Sequence, residues 1–196
     1  MNSPHPHHAH SSQAPSAWIV RFAPLVAPGA RVLDVAAGYG RHARFFAGRG
    51  ARVVAVDRDA TALATLQDEP RIETHTADLE QGSWPFAGEK FDAIVVVHYL
   101  HRALFPQLIE SLAGDGVLLY ETFAEGNALY GKPSNPAFLL RSGELLSVAR
   151  ERLVVVAFEQ GSVDREHPAV MQRLAAVGAT RLWPPLLPHQ PAGGLE

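Results

Sequence analysis

Residues 31–43, R-V-L-D-V-A-A-G-Y-G-R-H-A, decide how the rest of the chain folds. An apolar run rises through Asp34 into the small residues Ala36, Ala37, Gly38 and Gly40, and a helical pattern over 41–49 follows at once. Residues with little or no side chain let the backbone turn sharply and let a ligand lie against the main chain. A strand, a glycine turn and a helix start also aim unpaired N–H groups and the positive helix end into one crevice. The stretch reads as the nucleotide-cofactor loop of an α/β protein.

Outward from this loop, strands and helices alternate. A strand over 31–37 and a helix over 41–49, closed by Gly50, lead to a second strand over 51–57 and a helix over 60–67 that Asp59 caps. A weaker third strand spans 71–77 and ends T-A-D-L at Asp78 and Leu79. The fourth, F-D-A-I-V-V-V-H over 91–98, is apolar without alternation, as suits a parallel strand buried on both faces. Next come a helix over 101–113 with Leu104, Leu108 and Leu112 four apart, a turn at Gly114-Asp115-Gly116, and a fifth strand over 117–122. Residues 123–141 form a long irregular insertion, followed by a helix over 142–150 and strands over 153–158 and 169–177. The loop joining these last two strands has no room for a helix, so they run antiparallel. Alternation through five strands implies a parallel sheet with helices on both faces. Ligands of such sheets bind outside the carboxyl ends of the strands.

Ahead of the loop, Trp18, Phe22 and Leu25 recur at helical spacing until Pro24 ends the segment. This short helix either covers the crevice or uses Trp18 to seal the core edge. One domain is expected over 15–183, between a disordered tail over 1–14 and a proline-rich tail over 184–196. His5, His7, His8 and His10 make a short tract of a kind that can hold metal, but it reads as a flexible tail and no metal site is assigned.

The 196 residues carry a formal charge of −3 and no run of Lys or Arg, which weighs against a nucleic-acid partner. With no cysteine, disulfides, thiolate metal sites and cysteine nucleophiles are excluded. No apolar run approaches the roughly 18 residues of a membrane span, and the N-terminus lacks a signal-peptide core. A cytoplasmic protein with no membrane partner is expected; oligomeric state is not encoded in any recognisable pattern.

Gly38-x-Gly40-x-x-Ala43 also satisfies the dinucleotide fingerprint, with Asp57 where a ribose-binding acid belongs, so the glycines alone do not separate NAD from S-adenosylmethionine. Asp34 does. A carboxylate at the end of the first strand would repel a pyrophosphate, whereas it can accept hydrogen bonds near the cationic amino-acid end of S-adenosylmethionine. Asp78 can accept from an adenine amino group, and the closing hairpin departs from a plain dinucleotide fold.

Together these positions resemble the class I S-adenosylmethionine-dependent methyltransferases over residues 16–178. V-L-D-V-A-A-G-Y-G stands for their first motif, Val56-Asp57-Arg58 for the acidic end of the second strand, and Ala77-Asp78-Leu79 for the adenine-side motif. Ala36 stands where their first glycine is usual. The G-x-G-R segment also looks like that of small bacterial tellurite-resistance methyltransferases, although strands four and five do not follow that pattern. The resemblance implies a seven-stranded sheet of order 3-2-1-4-5-7-6 with strand seven antiparallel and helices on both faces. It implies S-adenosyl-L-methionine held by Asp34, Ala36, Ala37, Gly38, Gly40, His42, Asp57, Arg58, Asp78, Leu79 and His98.

Methyl transfer from a sulfonium needs positioning above all, and a base only where the acceptor must lose a proton. His98 and Tyr99, at the end of strand four, fall where acceptor and cofactor meet; Arg41 and His42 could reach the cofactor carboxylate; His101 and Arg102 open the next helix. A long irregular stretch in a compact domain is usually functional, so the insertion reads as a lid that brings Tyr130 or Lys132 to the acceptor. The expected acceptor is a small molecule. RNA or protein acceptors, an NAD-linked oxidoreductase and a non-catalytic S-adenosylmethionine-binding module are the alternatives.

Overall fold

The computed structural model describes residues 14–163, 168–182 and 184–185. The histidine tract and most of both tails lie outside the described residues. Seven strands form one sheet: β1 (Arg31–Val35), β2 (Arg52–Asp57), β3 (Ile72–Thr76), β4 (Phe91–Val97), β5 (Leu112–Phe123), β6 (Leu153–Val163) and β7 (Ala169–Gly178). Their order is β3-β2-β1-β4-β5-β7-β6. The first five pair in parallel, and β7 runs antiparallel to both β5 and β6, as the sequence implies.

Helices α1 (Ala17–Phe22), α2 (Arg41–Gly48) and α3 (Ala60–Ala64) pack on one face; Trp18, Phe22, Phe46 and Leu63 meet Val32, Val95 and Leu119 there. Helices α4 (Phe105–Ser111) and α5 (Glu144–Ala149) cover the other, where Leu108 and Leu145 join Leu33, Ile94 and Leu118. Alternate residues of one strand thus serve two cores, which is why β4 shows no polar period. No helix of the described residues is long and apolar enough to cross a membrane.

The element bounds move where side chains compete with the ladder. The helix expected over 60–67 stops at Ala64 because the Thr65 hydroxyl bonds back to the Ala62 carbonyl at 2.7 Å. The helix expected to run to residue 113 ends at Ser111: Leu112 already pairs with Phe91, and β5 passes an irregularity before Val117 pairs with Ala93. Segment 142–150 begins at Gly143 in left-handed conformation rather than at Ser142. Helix α1 ends at Phe22, and a 3-10 turn over Ala23–Leu25 takes up Pro24. Trp18 is 3% exposed and donates its indole N–H to the Leu174 carbonyl at 3.3 Å, so it seals the core.

The insertion is ordered. Two 3-10 turns, Asn127–Leu129 and Pro136–Phe138, are tied back by a bridge between Ala124 and Leu140. Buried Asn127 donates to the Pro133 carbonyl at 2.9 Å and accepts from the Val170 N–H at 3.1 Å. Arg102 binds it from below, donating to the carbonyls of Ala137 and Leu139, each at 2.8 Å, and to the Glu144 carboxylate at 2.6 and 2.9 Å. Arg102→Ala should therefore free the insertion while leaving both cores intact. A loss of about 2 kcal/mol in urea unfolding is expected for this half-exposed network, with new protease cleavage between residues 124 and 141. Unchanged cleavage would show that the insertion holds itself in place.

Candidate active site

The carboxyl ends of β1 and β2, with the loops after β3 and β4, enclose a crevice of two adjoining lobes. Ala36, Asp57, Arg58, Ala77, Asp78, Leu79, Glu80 and Tyr99 line the first, of about 180 Å3. Asp34, Ala36, Ala37, Gly38, Tyr39, Arg41, His42 and Val97 line the second, of about 210 Å3. Joined at Ala36, they reach the lower end of the roughly 300–1,000 Å3 usual for ligand pockets.

The loop between β1 and α2 is built on left-handed backbone at alternate residues: Ala36 at φ 54°, Gly38 at φ 53° and Gly40 at φ 75°. An L side chain costs roughly 1–2 kcal/mol there. Ala36 bears that strain, which explains why glycine is usual at its position. His98, at the end of the neighbouring strand β4, is also left-handed, with φ 57°. Both strained non-glycine residues stand at the rim of the crevice, where such strain concentrates.

Asp34 is 2% exposed, and burial pushes its carboxyl up to about 7, against the Ala43 N–H and the Arg41 charge that pull it down. Its Oδ2 is buried without a hydrogen-bond partner. A buried acid with an unused oxygen at a crevice wall is matched to a cationic donor that is not part of the protein.

Asp57 holds the loop from the next strand, accepting the Gly38 N–H on Oδ2 at 2.8 Å and the Asp59 N–H on Oδ1 at 2.9 Å. Asp78 accepts the Glu80 N–H on Oδ1 at 2.9 Å. Each carboxylate has lone pairs to spare for a ligand's hydroxyl or amino groups.

His42 accepts the Ser16 N–H on Nε2 at 3.1 Å. Burial, with Arg41 and His98, drives its pKa down to about 3. The ring is neutral, so it can offer a dipole but no charge to a ligand carboxylate; among the pair named from the sequence, Arg41 brings the charge. Burial and the nearby Glu80 and Asp78 raise the Tyr99 hydroxyl to about 12. Tyr99 is a donor and a wall, never a base at neutral pH.

Of the residues expected at a cofactor site, the crevice brings together Asp34, Ala36, Ala37, Gly38, His42, Asp57, Arg58, Asp78 and Leu79. Gly40 lies behind it against Leu66. His98 departs from the expectation: the lining takes Val97 and Tyr99 and leaves His98 out. Its left-handed backbone turns the ring to the α1 side, where it lies 4.9 Å from the Phe123 ring. The insertion residues also fall elsewhere. The Tyr130 hydroxyl faces Ser162 of β6 at 3.4 Å, Lys132 is exposed, and Arg102 is turned to the insertion. Tyr39, Glu80 and Val97 line the crevice without having been singled out; adjacency to the motifs was the available signal.

Comparison with known proteins bears on the same crevice. A family profile described as a methyltransferase domain matches residues 32–116, which span the lining from Asp34 to Tyr99. No curated protein matches the sequence. Among solved structures, TehB from Haemophilus influenzae superposes with a TM-score of 0.73 at 17% identity, covering 86% of this chain and 64% of its own. The N-methyltransferase NodS from Bradyrhizobium japonicum gives 0.63 at 16%, covering 81% and 93%. Coclaurine N-methyltransferase, bound to N-methylheliamine and S-adenosylhomocysteine, gives 0.58 at 16%, covering 76% and 51%. The chain thus spans less than two thirds of the TehB and coclaurine enzyme structures, and at these identities the likeness is one of fold.

Proposed function

We propose that the chain is a class I S-adenosylmethionine-dependent methyltransferase and that it methylates a small-molecule acceptor. The observation that carries the reading is the unpartnered, buried Oδ2 of Asp34. The residues fit the cofactor. Asp34 would take its ammonium, Arg41 its carboxylate, Asp57 its ribose hydroxyls and Asp78 its adenine amino group, while Leu79 and Tyr99 form apolar walls. A side chain at Gly38 would enter open space, so the bare backbone there leaves room for a ligand.

When bound, S-adenosylmethionine supplies a methyl group on cationic sulfur, already activated for displacement. The protein's share is then largely orientation, worth roughly 7–11 kcal/mol in a well-aligned bimolecular reaction. Asp34 and Asp57 orient from two strands of a rigid sheet, and His98 is an imidazole beside the crevice. One similar fold favours a small acceptor, since it holds N-methylheliamine. The net charge of −3 supports the same choice over RNA.

Asp57→Ala should weaken S-adenosylhomocysteine binding at least roughly tenfold, because one charge-assisted bond is worth about 1.5–3 kcal/mol and 1.4 kcal/mol is a decade. Calorimetry on the folded variant checks this; unchanged affinity would remove Asp57 from the site. Thermal shift of the wild type should respond to S-adenosylhomocysteine and not to NAD. The reverse response would make the protein a nicotinamide enzyme.

A further inference from the structure

On the α1 face the apolar row of the sheet gives way, at its carboxyl edge, to charge. Leu119 and Ala175 belong to the core, and two residues along their strands stand Glu121 on β5 and Arg173 on β7. Glu121 pairs across the ladder with Arg173, and Arg173 with Glu159 on β6. Their side chains follow suit: Arg173 Nε donates to Glu121 Oε2 at 2.8 Å, and its terminal nitrogen to Glu159 Oε2 at 3.1 Å. Arg21 of α1 closes the row on Glu159 at 3.1 Å.

The inner end of this row is His98. Its Nε2 lies 3.8 Å from Glu121 Oε1, its backbone N–H donates to the Glu121 carbonyl at 2.9 Å, and its ring packs on Phe123. Glu121 and Phe123 share one face of β5, so a single strand end sets both the ring plane and the charge beside it. Glu121 is 3% exposed while the His98 side chain is 34% exposed, so a buried carboxylate backs a partly exposed imidazole. Removing two charges from water is seldom rewarded in stability alone, which leaves the retention of Glu121 to be explained by what it does for its neighbours.

We propose that Glu121 is a positioning residue that holds His98 as the proton acceptor, and that the substrate is therefore a hydroxyl or an ammonium compound. This deepens the methyltransferase reading and rests on it. The step is a simple proton transfer: the acceptor's O–H or N–H bond breaks, its electron pair stays on the acceptor atom as the attacking lone pair, and the proton goes to the imidazole. The imidazolium so formed meets the Glu121 carboxylate. Arg173 sets how much of that negative charge His98 feels, and His42 of α2 is a neutral neighbour.

The test is the titration of His98 followed by NMR in the ligand-free protein, its resonance identified by its loss in His98→Gln. Glu121→Gln should lower the midpoint by about one pH unit, a tenfold loss of proton affinity. Arg173→Gln should raise it, since the carboxylate then loses its competing cation. Glu121→Asp should restore part of the lost affinity. Opposite signs are the signature of the Glu121 carboxylate acting on His98 through its charge, with Arg173 competing for that charge. A midpoint that does not move in Glu121→Gln, or that moves the same way in both variants, overturns the proposal; should Glu121→Gln not fold, the sign in Arg173→Gln decides. Calorimetry of the wild type with S-adenosylhomocysteine keeps the two readings apart. No binding there would overturn the methyltransferase reading, and this proposal with it, whatever the titration gives.

Discussion

Asp34→Asn should make the protein more stable and deprive it of its cofactor. Burial raises the folded-state pKa of Asp34 from 3.8 to about 7, so between those values the folded chain binds a proton that the unfolded chain has released. Stability from this group is full below pH 4 and is lost as pH rises through 7. At pH 8 the buried charge costs at most about 4 kcal/mol, from three pKa units at roughly 1.4 kcal/mol each. Asparagine keeps an oxygen for the Ala43 N–H and carries no charge, so it removes that cost at pH 8 and gains nothing at pH 4. Binding moves the other way, because an amide N–H replaces the oxygen that awaits an ammonium. The loss should reach about a hundredfold for S-adenosylhomocysteine, on the order of 3 kcal/mol for one charged hydrogen bond. In the wild type the same affinity should fall between pH 8 and pH 6 as Asp34 takes up its proton. Urea melts at pH 4 and 8, with calorimetry at pH 6 and 8, check both arms. A destabilised variant that still binds would show that Asp34 serves the fold instead of the ligand.

That conflict between stability and binding was legible in the sequence only as a position. An acid at the end of an apolar strand and ahead of three small residues pointed to the ligand, but its depth and unpartnered oxygen are properties of the packed crevice. Much of the fold could be read because one periodicity dominated: residues 93–97 of β4 and 117–120 of β5 are apolar without a break, and the acids of 34, 57 and 78 lie at or beside the ends of parallel strands. Two things could not be read. The backbone of His98 is left-handed, which β-branched and apolar neighbours do not announce, and its ring packs on Phe123 of β5 at the edge of the crevice. Arg102 looked like a helix opener beside the site, yet its partners Ala137, Leu139 and Glu144 come from 35 to 42 residues further on. Contacts of that range depend on how the insertion folds back, which no local pattern encodes. Glu121 fell between the two cases. A carboxylate inside V-L-L-Y-E-T-F is conspicuous, but its pairing with Arg173 follows from the antiparallel register of β5 and β7.

Gly40→Ala should be the most destabilising single change in the loop, and a comparison within one motif shows why. Gly38 and Gly40 both have positive φ, at 53° and 75°, so alanine at either carries the backbone cost of roughly 1–2 kcal/mol. Beyond that they differ. A Cβ at Gly38 meets nothing within 4 Å, whereas one at Gly40 falls 2.5 Å from both methyls of Leu66 and 3.0 Å from its Cγ. Leu66 has no exposed surface, so it cannot swing out, and overpacking of this kind adds roughly 1–3 kcal/mol. Gly40→Ala should therefore lose about 2–5 kcal/mol in chemical unfolding, and Gly38→Ala only the backbone part. Affinity for S-adenosylhomocysteine should reverse that order among the folded variants, because the methyl at residue 38 enters the crevice and the one at residue 40 enters the core. Ala36→Gly, which relieves a strain already present at φ 54°, should be neutral or stabilising. Equal stability for the two alanine variants would mean that Leu66 yields, and that Gly40 is there for its backbone alone.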